Sequence, residues 1–211
     1  RRISDAMGFD MNSIVTSDQT HTNNVRKITE KDRGKGIVVP RDYTDTDGMV
    51  TNVPGLVLAT FYADCVPLYF ADPVNHAIGL SHSGWRGTVQ KIGAVTIEKM
   101  SEEYGSDPKD LKVAIGPSIC QDCYEVSLDV AEAFCKEFPG HEKEILYDKG
   151  NGKYQLDLWK TNEIILREAG IAKEHLAVTN ICTCCNSQLL FSHRASYGKR
   201  GNLGAFMQIT E

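Results

Sequence analysis

Three short apolar runs, residues 56–61, 66–70 and 77–80, follow one another with only a few residues between them. Each is shorter than an ordinary helix, and none shows the 3.6-residue spacing of a one-sided helix, so they read as buried strands. Asp72-Pro73-Val74-Asn75 separates the last two. Proline presets φ, and Asp and Asn side chains bond to local backbone, so this is turn sequence. A chain with such a centre must cover a sheet with something apolar, and helices are the usual cover.

The helical patterns lie further along. From Thr88 onward, Val89, Ile92, Val95, Met100 and Tyr104 are spaced for one helix face, which Gly105 can close. Ser127 stands as the N-cap of a helix carrying Val130, Phe134 and Phe138, which Pro139-Gly140 ends. Another helix covers 158–169 and stops at Gly170. Further strands are expected around 13–15, up to Ile115, over 176–183 and over 205–209, with a polar connection at 18–25 and a basic, glycine-marked tail at 192–204. No repeat, linker or low-complexity segment divides the 211 residues, which are read as a single α+β domain with a mixed β-sheet core and flanking helices. The chain opens on Arg1-Arg2 without an initiator Met, with Ile3 and Met7 at helical spacing. It is therefore expected to lack an N-terminal segment of a longer protein.

A formal net charge of -5 provides no broad cationic surface, so neither nucleic acid nor an anionic membrane is an expected partner. No apolar run approaches the roughly 20 residues of a membrane span, and no signal peptide opens the chain, so the cytoplasm is the expected compartment. There the seven cysteines, Cys65, Cys120, Cys123, Cys135, Cys182, Cys184 and Cys185, are expected as ligands, reactive thiols or core residues rather than disulfides.

The chemistry concentrates in Ala63-Asp64-Cys65 and, seventeen positions after the cysteine, in His82-Ser83-Gly84-Trp85-Arg86-Gly87. Both fall where strands end, so a thiolate and an imidazole can meet there, and Zn2+ accepts that mixture. His21, in the polar connection, is the candidate third ligand. Three protein ligands leave one position open, as a catalytic zinc requires, and water there is acidified. Each residue also has a plain reading: Cys65 as a small buried side chain, His82 as a core or supporting histidine, His21 as a solvated loop residue. Gly84 and Gly87 suggest a tight backbone presenting Trp85 and Arg86 to a cleft. Asp64 is either a turn or cap residue or a proton-transfer group.

Taken in order, Gln19-Thr20-His21, Thr44-Asp45-Thr46-Asp47-Gly48-Met49-Val50-Thr51, Ala63-Asp64-Cys65-Val66-Pro67, the His82 to Gly87 element, Gly116-Pro117-Ser118-Ile119, Tyr124-Glu125-Val126 and Phe191-Ser192-His193-Arg194 form a specific series. It resembles the purine nucleoside phosphorylase and polyphenol oxidase (laccase domain) family of the YfiH type. Thr20, Ser83 and His193 depart from that family's common pattern, and none removes a ligand. The resemblance implies His21, Cys65 and His82 as metal ligands. It also implies phosphorolysis of adenosine, inosine and methylthioadenosine to ribose 1-phosphate and free base, with deamination of adenosine. The partners are then a purine nucleoside and phosphate, and Cys65, His82, Asp64 and Arg86 are the candidate catalytic set. Asp64 is the candidate proton donor to departing ammonia. Arg86, with Arg194 or Arg200, is the candidate phosphate clamp.

Three other readings stay open. A multicopper oxidase needs many histidines, typically in His-x-His pairs, and this chain has six scattered ones, although Cu2+ in the single site would give weak oxidase activity. A cysteine hydrolase would use Cys65 as nucleophile and His82 as base. Cys120-x-x-Cys123 and Cys182-x-Cys184-Cys185 could form a structural zinc knot, but they lack knuckle glycines and lie in strand-like context, which favours core thiols.

Overall fold

The apolar runs at 66–70 and 77–80 pair as the arms of an antiparallel hairpin, with Val66 opposite Ser83 and Asp72 opposite Ala77. Asp72 builds the turn: one carboxylate oxygen accepts from the amides of Val74 and Asn75 at 2.9 and 3.0 Å, the other from the Asn75 side chain. The computed structural model describes residues 2–210; Arg1, part of the expected interior start, and Glu211 lie outside them.

The elements in chain order are α1 (Arg2–Met7), β1 (Ile14–Thr16), β2 (Val25–Lys27), β3 (Gly48–Thr51), β4 (Val57–Tyr62), β5 (Val66–Asp72), β6 (Ala77–Ser83), α2 (Trp85–Val89) and α3 (Ile92–Tyr104). There follow β7 (Lys112–Ile115), β8 (Glu125–Ser127), α4 (Leu128–Glu137), α5 (Glu142–Ile145), β9 (Leu146–Gly150), β10 (Lys153–Leu156), α6 (Leu158–Glu168), β11 (Leu176–Val178) and β12 (Leu203–Gln208). A six-stranded mixed sheet runs β11-β7-β5-β6-β3-β2, and two three-stranded sheets run β1-β4-β12 and β8-β10-β9. The α+β single domain expected from the sequence is what these elements form.

Successive strand residues point to opposite faces, and β3 shows how this divides the core. Met49 packs with Val15, Leu58, Leu80 and Ala205, between the large sheet and the β1-β4-β12 sheet. Val50 packs on the other side with Leu68, Ile92, Met100, Phe134 and Ile165, where the helices lie. Gly79 permits this close helix approach, since a Cβ there would stand 3.2 Å from both Met100 Sδ and Thr96 Cγ2. Among the described residues no helix is long and apolar enough to cross a membrane.

Three local expectations are corrected. The pattern from Thr88 belongs to two helices, not one: Lys91 adopts a left-handed φ of 55° and breaks α2 from α3. Trp85-Arg86-Gly87, expected as a tight backbone presenting its side chains to a cleft, is the first turn of α2, with Gly84 as its N-cap and with Trp85 and Arg86 outside the lining of the cavity described below. The strand expected over 176–183 stops at Val178; Asn180 then turns the chain with φ 53°, Cys182 makes only an isolated bridge to Ser118, and 183–185 form a turn. β2, β3 and the β8-β10-β9 sheet have no counterpart among the expected strands.

Candidate metal centre

The turn Ala63-Asp64-Cys65 joins β4 to β5. Asp64 bends it with a φ of 81°, a conformation that Asp tolerates better than bulkier residues. Its carboxylate is fixed on both sides: Oδ1 accepts from Thr183 Oγ1 at 2.6 Å and Oδ2 from the Arg194 amide at 2.7 Å. The Asp64 carbonyl accepts from Ile119 N at 3.0 Å. The Arg194 guanidinium donates to the carbonyls of Glu125 and Cys123 at 2.9 and 3.4 Å. The turn that presents Cys65 is thus tied to three distant segments.

His82 lies on β6 opposite Pro67 of β5, with its imidazole buried. His21 lies in the connection between β1 and β2, at a left-handed φ of 66°. One residue organises both. Asp47, fully buried just before β3, accepts from His82 Nδ1 at 2.8 Å and from the His21 amide at 3.1 Å on Oδ1. Its Oδ2 accepts from the amides of Thr20 and Thr22 at 3.0 and 2.9 Å and from Thr22 Oγ1 at 3.1 Å. A buried carboxylate needs such partners, and here they shape the loop that carries His21. Gln19 fastens the other side of that loop: its Oε1 accepts from the Phe61 amide of β4 at 2.7 Å.

The outcome is that one ligand atom each from His21, Cys65 and His82 lie within 4.8 Å of one another. The two imidazoles meet edge to face, with centroids 5.0 Å apart. Gly84 is required by this crowding, since a Cβ there would stand 2.7 Å from His21 Cδ2 and 3.3 Å from Cys65 Sγ. Burial pushes the Cys65 thiol up, but hydrogen bonds from His21 and His82 outweigh it and leave the thiol acidified. Burial pushes His82 down, and its bonds to Asp47 and Cys65 raise it further than burial lowers it. Burial likewise raises Asp47, while bonds from His82 and the Thr22 and Thr20 amides bring it below the ordinary carboxylate range. A thiolate beside an imidazolium is a centre where a cation can take the proton's place. With Nδ1 held by Asp47, His82 has only Nε2 to offer, so the donor set is two imidazoles and one thiolate, which fits zinc.

The three residues line a cavity of about 340 Å³, near the small end of the roughly 300–1,000 Å³ range of small-molecule sites. Asp18, Arg41, Tyr62, Arg200 and Asn202 share its wall. Of the residues singled out from sequence, Asp64, Arg86 and Arg194 are not in that lining. Arg86 is exposed, its guanidinium 4.3 Å from the Trp85 ring centroid. Sequence reasoning gives no role to Asp47 or Arg41. For Asp47 a signal was available, since an aspartate leading into an apolar Gly-Met-Val-Thr strand must, once buried, find donors. The core-thiol reading of the remaining cysteines is also corrected: Cys182 is buried, but Cys120 and Cys123 are half-buried and Cys185 exposed, and the four gather into one cluster.

Residues 1–210 match the family described as multi-copper polyphenol oxidoreductase laccase. The chain belongs to this family. Among its relatives is the purine nucleoside phosphorylase YlmD of Bacillus subtilis (strain 168), 40% identical over 213 residues, covering 99% of this chain and 75% of the relative. Another is the adenosine deaminase RL5 of an unknown prokaryotic organism, 33% identical over 189 residues, covering 89% of this chain and 72% of the relative. The crystal structure of Bacillus licheniformis hypothetical protein YfiH superposes with a TM-score of 0.93 at 35% identity, over 99% of this chain and 79% of that one.

Proposed function

We propose that this chain is a zinc-dependent purine nucleoside phosphorylase, acting on adenosine, inosine and S-methyl-5′-thioadenosine, with adenosine deaminase activity at the same centre. One observation carries the reading: two imidazoles and a thiolate, braced by the buried Asp47, converge on a nucleoside-sized cavity that two arginines also line. The relatives named for phosphorolysis and for deamination support the substrate class.

His21, Cys65 and His82 would hold the metal, which when bound supplies Lewis acidity toward an oxygen in its open position. Asp47 keeps the His82 Nδ1 proton in place and the His21 loop closed. Arg200 is the favoured phosphate partner, because among the described residues it donates to the neutral Asn202 side chain and Gly201 carbonyl, whereas Arg41 is already matched by Asp18 at 2.7 Å. Arg86 lies outside the lining, exposed and stacked on Trp85. Arg194 and Asp64 act as positioning residues, since the guanidinium serves two carbonyls and both carboxylate oxygens serve the Cys65 turn. Proton delivery to departing ammonia then falls to a group other than Asp64. The seven free thiols suit a reducing compartment, and the cytoplasm is the proposed location.

The family's description favours a second reading, copper-dependent phenol oxidation. Among the described residues the metal-competent groups are this centre, with two histidines, and an all-cysteine cluster, so a multinuclear copper site lacks its ligands. Incubation with adenosine, with and without phosphate, separates the readings. Phosphate-dependent adenine together with phosphate-independent inosine and ammonia is expected. Oxygen uptake with a phenol and no nucleoside turnover would replace the proposal.

A further inference from the structure

A second group of ligand-type side chains lies apart from the cavity, between two turns that the fold brings together. Cys120 and Cys123 bracket the 3₁₀ turn that follows β7, and Cys182 and Cys185 bracket the turn that follows β11. The parallel pairing of β7 with β11, continued by the Ser118 to Cys182 bridge, sets the two turns side by side. Each turn contributes a Cys-x-x-Cys pair.

One sulfur from each of the four lies within 4.8 Å of all the others. Cys123 Sγ is 3.5 Å and Cys120 Sγ 4.0 Å from Cys185 Sγ. These separations bracket the edge of about 3.8 Å that follows from tetrahedral geometry and a Zn–S bond of about 2.3 Å. They are far from the S–S length of about 2.05 Å of a disulfide, so the sulfurs surround a point rather than pair off. Two amides already face Cys182 Sγ, from Cys120 and from Cys185, each at 3.3 Å. Amide donors of this kind stabilise a sulfur carrying negative charge. Cys184, between the second pair, is not part of the group.

We propose that Cys120, Cys123, Cys182 and Cys185 form a structural zinc site, independent of the nucleoside-processing centre and closed by four thiolates with no open position. Each thiol gives its proton to solvent as its sulfur joins the ion. The site clamps the two turns from which the Cys65 turn is held: Thr183 lies within the second, and the Cys123 carbonyl that receives Arg194 lies within the first.

The test uses Cys65→Ala protein, which disables the first centre and leaves the cluster unaltered. After equilibration with zinc and removal of excess, it should retain about one equivalent per chain. Exchange for cobalt should give the strong visible and sulfur-to-metal charge-transfer bands of a tetrahedral thiolate site. Adding Cys123→Ser and Cys185→Ser should abolish both signals, whereas Cys135→Ser should leave them. The same double substitution with Cys65 intact should still hold zinc at the first centre, which separates failure of this site from failure of the other. Cys65→Ala protein that binds no zinc would overturn the proposal. So would iron in place of zinc, or a Cys123–Cys185 disulfide seen as a mass about 2 Da lower under non-reducing conditions.

Discussion

Nδ1 of His82 donates to Oδ1 of Asp47 at 2.8 Å, and the same carboxylate collects three consecutive amides from the loop that carries His21. One buried side chain therefore sets the tautomer of one proposed ligand and the backbone of another. Asp47→Asn should weaken zinc binding by about 10–100-fold, the usual effect of losing a carboxylate behind a ligating histidine. Competition with a chromophoric chelator measures this, and an affinity within twofold of the parent would show that the carboxylate merely packs.

Gly84→Ala places a methyl 2.7 Å from His21 Cδ2 at a residue with an ordinary φ of -73°. The backbone tolerates alanine there, so the strain falls on the imidazole. Turnover of adenosine should drop on the order of 100-fold while thermal stability stays nearly level, since small displacements in a site can have that effect. Undiminished kcat/KM would mean that the His21 ring is not where the reaction needs it.

Arg200→Ala separates the two proposed activities. It should raise the KM for phosphate about tenfold, the loss of roughly one charge-assisted hydrogen bond, and leave phosphate-independent formation of inosine almost untouched. Steady-state assays of both products report the split. Equal losses in both would return Arg200 to a structural role.

Away from the centre, Asp32 caps its own turn and carries a pH signature. Burial alone would raise its carboxyl, but bonds from Lys35, from the Thr29 amide and hydroxyl, and from Arg26 hold it at about 2 against an ordinary 3.8. A carboxyl depressed in the folded chain contributes stability fully above its unfolded value and loses it as pH falls through the folded one. Asp32→Asn should therefore cost about 2 kcal/mol near pH 7, with the difference shrinking from about pH 4 and gone near pH 2. Urea unfolding at several pH values checks this, and a pH-independent difference would refute the linkage.

The sequence made the β5–β6 hairpin, α4 and α6 legible, because apolar spacing, Asp72, Ser127 and Gly170 act within a few residues of where they stand. β9 was not, since four of its five residues are exposed and no alternation marks it. β3 was too short to show a period. In the centre, His21, Cys65 and His82 could be picked out because histidine and cysteine at strand ends are unusual, whereas Asp47 looks in sequence like any turn aspartate. The four-cysteine cluster depends on β7 lying beside β11, a pairing across more than sixty residues that local pattern does not encode.

The three proposed ligands all fall within the first 82 residues, yet the Asp64 carboxylate beside one of them is held by groups 119 and 130 positions further along. During synthesis the ligands therefore leave the ribosome well before the residues that lock the turn between β4 and β5. Loading of the proposed metal would then be a late event, coupled to closure of the longest-range contacts, and a nascent chain halted before Thr183 would hold the proposed ligands without the contact that fixes the Asp64 turn.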